Sequence, residues 1–254
     1  MPAAVTRSRW LTPVAGLPAA ACDLVCLPHA GGGGAVFRDW QRHTDVLRVS
    51  AVLLPGRETR LREPAHTDVD ALVEELLEPM RQVVTGQYAL YGHSMGALVA
   101  FELTRRLRSA GLPMPLGLFL AGADAPQRLD PDPVHDLPRD ELVAWLEDGH
   151  GLDPEALRYP ELIDLMLPTV RADLALVETY RHVPQPPLDV PIRVFRGRGD
   201  PYCSTDGARD WALQTTAGCA VSDLDGDHFF VDDHLDRVVA LIEADVTERS
   251  EGVR

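Results

Sequence analysis

The sequence predicts an α/β protein built on a mostly parallel central sheet with helices on both faces. Three observations predict it. Strand-like and helix-like stretches alternate along most of the 254 residues. Several of the strand-like stretches are near-continuous apolar runs, as strands buried on both sides should be. Finally, the segment Gly92-His93-Ser94-Met95-Gly96 joins one such strand directly to a helix.

The expected strands are Asp23–Leu27, Arg48–Leu54, Gln87–Tyr91, Leu116–Ala121, Ile192–Arg196 and Cys219–Leu224. Helical patterns fill the intervals at Ala35–His43, Val69–Val84, Met95–Ala110, Thr205–Thr215 and His234–Val246. Thr67 and Asp68 are candidate caps for the second helix and Gly111 a terminator for the third. Pro79 should bend or divide the second helix, because proline removes a backbone donor. The alternation breaks between about Pro126 and Pro187. There Pro138 opens a short helix and Pro160 a longer one, with Ile163, Met166, Val170, Leu174 and Val177 on one face. Pro168 should kink that longer helix. The segment is longer than a crossover needs, so residues 126–187 are read as a lid insertion within one domain spanning 1–254. The alternative is an ordinary crossover helix packed on the sheet.

Composition narrows the chemistry. The net charge of -15 argues against a nucleic-acid partner. All 24 basic residues are arginine, which removes Walker A chemistry, Schiff bases and Ser-Lys dyads, since each needs an amine. Cys22 and Cys26 would sit about 13 Å apart along a strand, too far for a disulfide. No paired Cys-x-x-Cys spacing suggests zinc, so the four cysteines are read as reduced thiols. Near the N-terminus Pro13 and Pro18 interrupt any apolar run, so no signal peptide, membrane span or membrane partner is expected and the protein is placed in the cytoplasm.

A serine between two glycines on a sharp strand-to-helix turn is the nucleophile elbow of the α/β-hydrolase fold. The motif alone is weak; its place between a strand and a helix makes it specific. Ser94 is the expected nucleophile. It needs a base, and the base needs an orienting acid. In this fold the order is serine, acid, histidine. His228, delivered from the last strand by Asp225-Gly226-Asp227, is the expected base; His234 lies in a polar stretch and reads as solvated or capping. Asp200, on a glycine turn after the Ile192–Arg196 strand, is the expected acid, with Asp124 as competitor. Two N–H donors should stabilise the oxyanion: Met95, after the nucleophile, and Ala30, in the loop Pro28-His29-Ala30-Gly31-Gly32-Gly33-Gly34. The four glycines lack the Lys and Ser/Thr that a phosphate loop requires. No metal or bound cofactor is expected.

With these pieces in place the chain resembles the type II thioesterases of modular polyketide and nonribosomal peptide synthases. The resemblance covers about Leu24 to Leu241. It rests on Pro28-His29-Ala30-Gly31-Gly32, Leu54-Pro55-Gly56-Arg57-Glu58 with Arg60 and Glu63-Pro64, and the elbow. Arg171-Ala172-Asp173 with Glu178 and Tyr180, and His228-Phe229-Phe230, complete it. It implies hydrolysis of acyl thioesters on the phosphopantetheine arm of acyl or peptidyl carrier proteins, a mobile helical lid, and oxyanion donors at Ala30 and Met95. The chain departs from the family pattern at Asp227, which adds a carboxylate beside the base, and after the fourth strand, at Gly122–Pro126. A small-ester or amide hydrolase using the same residues is the alternative, and a non-catalytic binding module a further one. The run Arg57–Glu63 reads either as a solvated loop or as arginines that meet a carrier.

Overall fold

The computed structural model describes residues 9–13, 22–83, 86–130, 132–148, 151, 155 and 158–252. Its centre is a seven-stranded sheet, made of β1 Leu11–Pro13, β2 Cys22–Leu27, β3 Leu47–Val52, β4 Tyr88–His93, β5 Leu118–Ala121, β6 Ile192–Gly197 and β7 Cys219–Leu224. Their spatial order is β1-β3-β2-β4-β5-β6-β7, all pairs parallel except β1 against β3. This is the α/β-hydrolase fold. All six expected strands are present; β1 was not expected.

Strands β2 and β4 are buried along their whole length, which explains their apolar runs. Successive side chains then serve opposite faces. Val25 and Leu27 enter the core under helices α1 Val69–Val83 and α2 Met95–Ser109. Leu24 and Cys26 enter the other core, closed by Phe37, Trp40 and α6 Leu235–Gly252. Asp68 caps α1 by accepting from Ala71 N–H at 2.8 Å; Thr67 does not. Gly111, at φ +64°, ends α2 with Leu112 N–H donating to Leu107 O at 3.0 Å. Pro79 does not divide α1. The end of that helix at Val84 lies outside the described residues, as does Pro18.

Two expected helices are corrected. Residues 35–43 form two 3₁₀ turns, Gly34–Phe37 and Trp40–His43. Residues 205–215 form a short helix, α5 Thr205–Arg209, and a 3₁₀ turn, Asp210–Gln214.

Between β5 and β6 lie α3 Arg139–Glu147 and α4 Pro160–Glu178, the latter continuous through Pro168. They share a small apolar cluster of their own, including Leu142, Leu146, Ile163 and Leu167. Helix α4 is also tied to the rest of the protein. Thr169 Oγ1 donates to Gly56 O at 2.6 Å, Glu178 accepts from Val134 N–H at 3.0 Å, and Tyr180, just beyond the helix, donates to Glu102 at 2.6 Å. Among the described residues no helix is long and apolar enough to cross a membrane.

Candidate active site

The turn after β4 holds Ser94 at φ 54° and ψ -116°, a conformation worth about 1–3 kcal/mol of strain for a residue with a side chain. Its two glycines permit it. A Cβ on Gly92 would stand 2.1 Å from Gly96 O, and one on Gly96 2.2 Å from Leu27 O. Ser94 N–H donates to Ala121 O at 2.8 Å, and Ser94 O accepts from Ala97 N–H at 2.9 Å to start α2. The serine therefore stands between β4 and the helix N-terminus.

Asp200 and His228 come from the loops after β6 and β7. Those loops touch backbone to backbone, because a Cβ on Gly197 would meet Asp227 O at 2.3 Å. Gly199 N–H donates to Gly226 O at 2.8 Å, with Gly226 at φ +114°. The contact sets His228 Nδ1 at 3.0 Å from both carboxylate oxygens of Asp200. Both side chains are buried. A carboxylate only accepts, so Nδ1 carries a proton and the lone pair of the neutral ring is on Nε2. Tyr202 N–H donates to Asp200 Oδ1 at 2.8 Å and fixes the carboxylate.

Ser94 and His228 line one cavity of about 450 Å³ together with Ala30, Met95 and Asp124. Among the described residues no hydrogen bond joins Ser94 Oγ to the imidazole; such contacts commonly tighten only around substrate. The Ala30 and Met95 N–H groups find no protein acceptor among the described residues. Leu98, Leu146, Val170, Leu174, Val177 and Trp211 give the cavity an apolar wall, half of these residues coming from α4.

The competing side chains have other partners. Asp124 accepts from Ser204 N–H at 2.8 Å and from its hydroxyl at 3.2 Å, which occupies it at the start of α5. His234 Nε2 lies 2.9 Å from Asp225 O. Asp227 is exposed and accepts from Phe229 N–H at 2.9 Å, capping the turn.

The reading of Arg57–Glu63 as a solvated or carrier-facing run is corrected at Arg57 and Arg60, which are buried, while Glu58, Thr59 and Arg62 are exposed. Arg57 pairs with Asp173 at 2.7 and 2.8 Å and donates to Gly32 O at 2.8 Å. Arg60 donates to Leu53 O at 2.9 Å, pairs with Glu63 and lies 3.9 Å over the Trp10 ring. Neither faces solvent.

Sequence reasoning also missed the shell around His228. His93 Nε2–H donates to His228 O at 2.8 Å. The His93, Tyr202 and Phe229 rings stand edge-on to the His228 ring at 5.1, 4.9 and 5.2 Å. Burial drives His93 well below its usual range, with the neighbouring His228 and His29 rings acting in the same direction; burial also lowers His29. Both rings are neutral near pH 7. The only sequence signal was position: His93 inside the elbow, Tyr202 two residues after the acid. Burial raises every cysteine, to about 12 at Cys22 and Cys203 and about 11 at Cys219, and well above the usual range at Cys26.

Comparison with known proteins follows the same line. The thioesterase-domain family model matches residues 23–246. Linear gramicidin dehydrogenase LgrE of Brevibacillus parabrevis, whose name specifies a different reaction, is 33% identical over 98% of this chain and 97% of its own. Thioesterase PikA5 of Streptomyces venezuelae is 34% identical, covering 91% of this chain and 83% of its own. Among solved structures, the type II thioesterase BorB from the borrelidin biosynthetic cluster superposes with a TM-score of 0.86 at 34% identity, over 93% of this chain and 97% of that one.

Proposed function

Since the chain belongs to the thioesterase family, as a type II thioesterase of polyketide and nonribosomal peptide synthases, we propose that its substrates are acyl chains on the phosphopantetheine arm of carrier proteins. Ser94 is the nucleophile, His228 the base and Asp200 its orienting acid. The observation that carries this assignment is the Asp200–His228 contact at 3.0 Å, on the wall of the cavity that Ser94 also lines.

His228 Nε2 takes the Ser94 proton as Oγ attacks the thioester carbonyl. The oxyanion is held by the Ala30 and Met95 amides, each worth about 3 kcal/mol of barrier. Collapse breaks the carbon–sulfur bond, and the departing thiolate receives the proton from His228. Water, deprotonated by the same imidazole, then attacks the acyl-enzyme and frees the acid and Ser94. Asp200 keeps the Nδ1–H tautomer throughout and balances the imidazolium. The insertion 126–187 acts as the lid, with α4 supplying the apolar surface for the acyl chain. The protein works in the cytoplasm, where the carriers are loaded.

The test is hydrolysis of a panel of acyl-loaded carriers and matching oxygen esters, with intact-mass detection of the acyl-enzyme. A transient mass gain at Ser94, a preference for carrier thioesters, and a loss of about 10⁶ in kcat on Ser94→Ala are expected. Faster turnover of simple oxygen esters would transfer the assignment to the small-ester alternative.

A further inference from the structure

We propose that Arg57 and Asp173 are positioning residues that clamp the glycine loop after β2 and so aim the Ala30 amide at the oxyanion. The proposal rests on the assignment of Ala30 as an oxyanion donor.

The loop holds itself only in part. Gly31 to Gly34 have no side chains, and glycine has the widest backbone freedom of any residue. An amide left to swing would have to be reorganised at each turnover, whereas oxyanion stabilisation depends on donors already in place. Two hydrogen bonds within the loop and two from outside fix it. The peptide plane between residues 29 and 30 carries the Ala30 N–H, and its carbonyl, His29 O, accepts from Gly32 N–H at 3.0 Å. The next plane is held at both ends. Ala30 O accepts from His29 Nδ1–H at 2.9 Å, and Gly31 N–H donates to Asp173 Oδ2 at 2.7 Å. Arg57 then donates to Gly32 O at 2.8 Å while its guanidinium binds both oxygens of Asp173. Peptide planarity means that fixing these planes fixes the direction of the Ala30 N–H, on a residue that lines the cavity.

The clamp is dry and distant in sequence. The side chains of Arg57 and Asp173 are 8% and 3% exposed, and Asp173 lies on α4, 142 residues from the amide it holds. Helix α4 is therefore both the wall of the acyl cavity and the anchor of the oxyanion loop. A pair that merely joined α4 to the 55–60 loop would not need to meet Gly31 N–H and Gly32 O.

The experiment compares wild type with Arg57→Met/Asp173→Leu, which removes the clamp without leaving a buried charge, and with Asp173→Asn, which keeps one acceptor oxygen for Gly31 N–H. Kinetics on an acyl-carrier thioester are measured beside affinity for an alkyl trifluoromethyl ketone, whose Ser94 adduct carries the oxyanion. The double variant should lose about 10- to 100-fold in kcat, somewhat less than deletion of a donor outright. KM should stay within about threefold, and ketone affinity should fall by the same factor as kcat/KM. Asp173→Asn should lose less than tenfold. A folded double variant with kcat within twofold of wild type overturns the proposal. So does a loss of kcat/KM in either variant without a matching loss of ketone affinity, which leaves Asp173→Asn decisive if the double variant does not fold. Ser94→Ala, run in parallel, separates the levels: an active Ser94→Ala enzyme removes the serine mechanism itself, while an inactive one beside an unaffected clamp variant removes only this inference.

Discussion

Asp200→Asn is the sharpest probe of the site, because the surrounding hydrogen bonds dictate how the new amide must sit. Tyr202 N–H requires an acceptor at the Oδ1 position, 2.8 Å away. The amide oxygen takes that place, 3.0 Å from His228 Nδ1, and the NH₂ group takes the Oδ2 place at the same distance. A donor now stands where an acceptor stood, so the site no longer imposes the Nδ1–H tautomer. In the ring form that accepts from the NH₂ group the proton sits on Nε2, and the nitrogen that should accept the Ser94 proton then carries one. A carboxylate-to-amide change with this geometry costs about 10⁴ in kcat, or about 5 kcal/mol of barrier. Asp124→Asn is the control: its oxygen still accepts from Ser204 N–H, so kcat should stay within about tenfold. Thiol release from an acyl N-acetylcysteamine thioester gives kcat, and circular dichroism melting confirms that both variants are folded. A folded Asp200→Asn enzyme within tenfold of wild type would refute the reasoning, as would an equal loss in Asp124→Asn.

Further predictions concern pH and the elbow. The unfolded chain protonates His93 near pH 6.5, whereas in the folded protein burial keeps it neutral well below that. The unfolded state thus binds more protons as pH falls, so stability is full above pH 6.5 and declines below it. The slope from His93 alone is about 1.4 kcal/mol per pH unit. Urea titrations of wild type and His93→Gln between pH 7 and 5 should show the shallower decline in the variant; parallel curves would contradict it. Gly96→Ala pushes a methyl to 2.2 Å from Leu27 O, so β2 and α2 must separate. We expect a Tm loss of more than 8 °C with turnover reduced at least a hundredfold, from a backbone clash worth about 3 kcal/mol or more. A stable, active Gly96→Ala protein would show that the elbow tolerates a shift.

What could be read in the sequence was what neighbouring residues decide. Strands buried on both faces must be apolar throughout, which is why Leu24–Leu27 and Ala89–Tyr91 stood out. The elbow was recognisable because both glycines lie within two residues of Ser94, although Gly96 answers to Leu27 O on a different strand. The 35–43 segment misled for the opposite reason: Phe37 and Trp40 both pack on the Tyr91 ring, at 6.0 and 4.5 Å. Phe37 closes the first 3₁₀ turn and Trp40 opens the second, so both rings reach one spot on a distant strand across the break between the turns. Strand β1 has three residues, one of them proline, and exists only through its pairing with β3.

The same logic explains why Arg57 looked like part of a solvated charge run. Charged residues are almost never buried unless paired, and the partner that makes burial tolerable is 116 residues away on α4. Local composition carries no trace of such a pairing. Yet the Pro28–Gly34 loop did pose a question the sequence could frame: a run of glycines beside a candidate oxyanion donor has few side chains of its own with which to stay in place. Beyond two hydrogen bonds within the loop, a carboxylate and a guanidinium from two other segments meet the Gly31 amide and the Gly32 carbonyl. A glycine-rich loop next to a candidate nucleophile is thus grounds for searching the rest of the fold for the group that holds it.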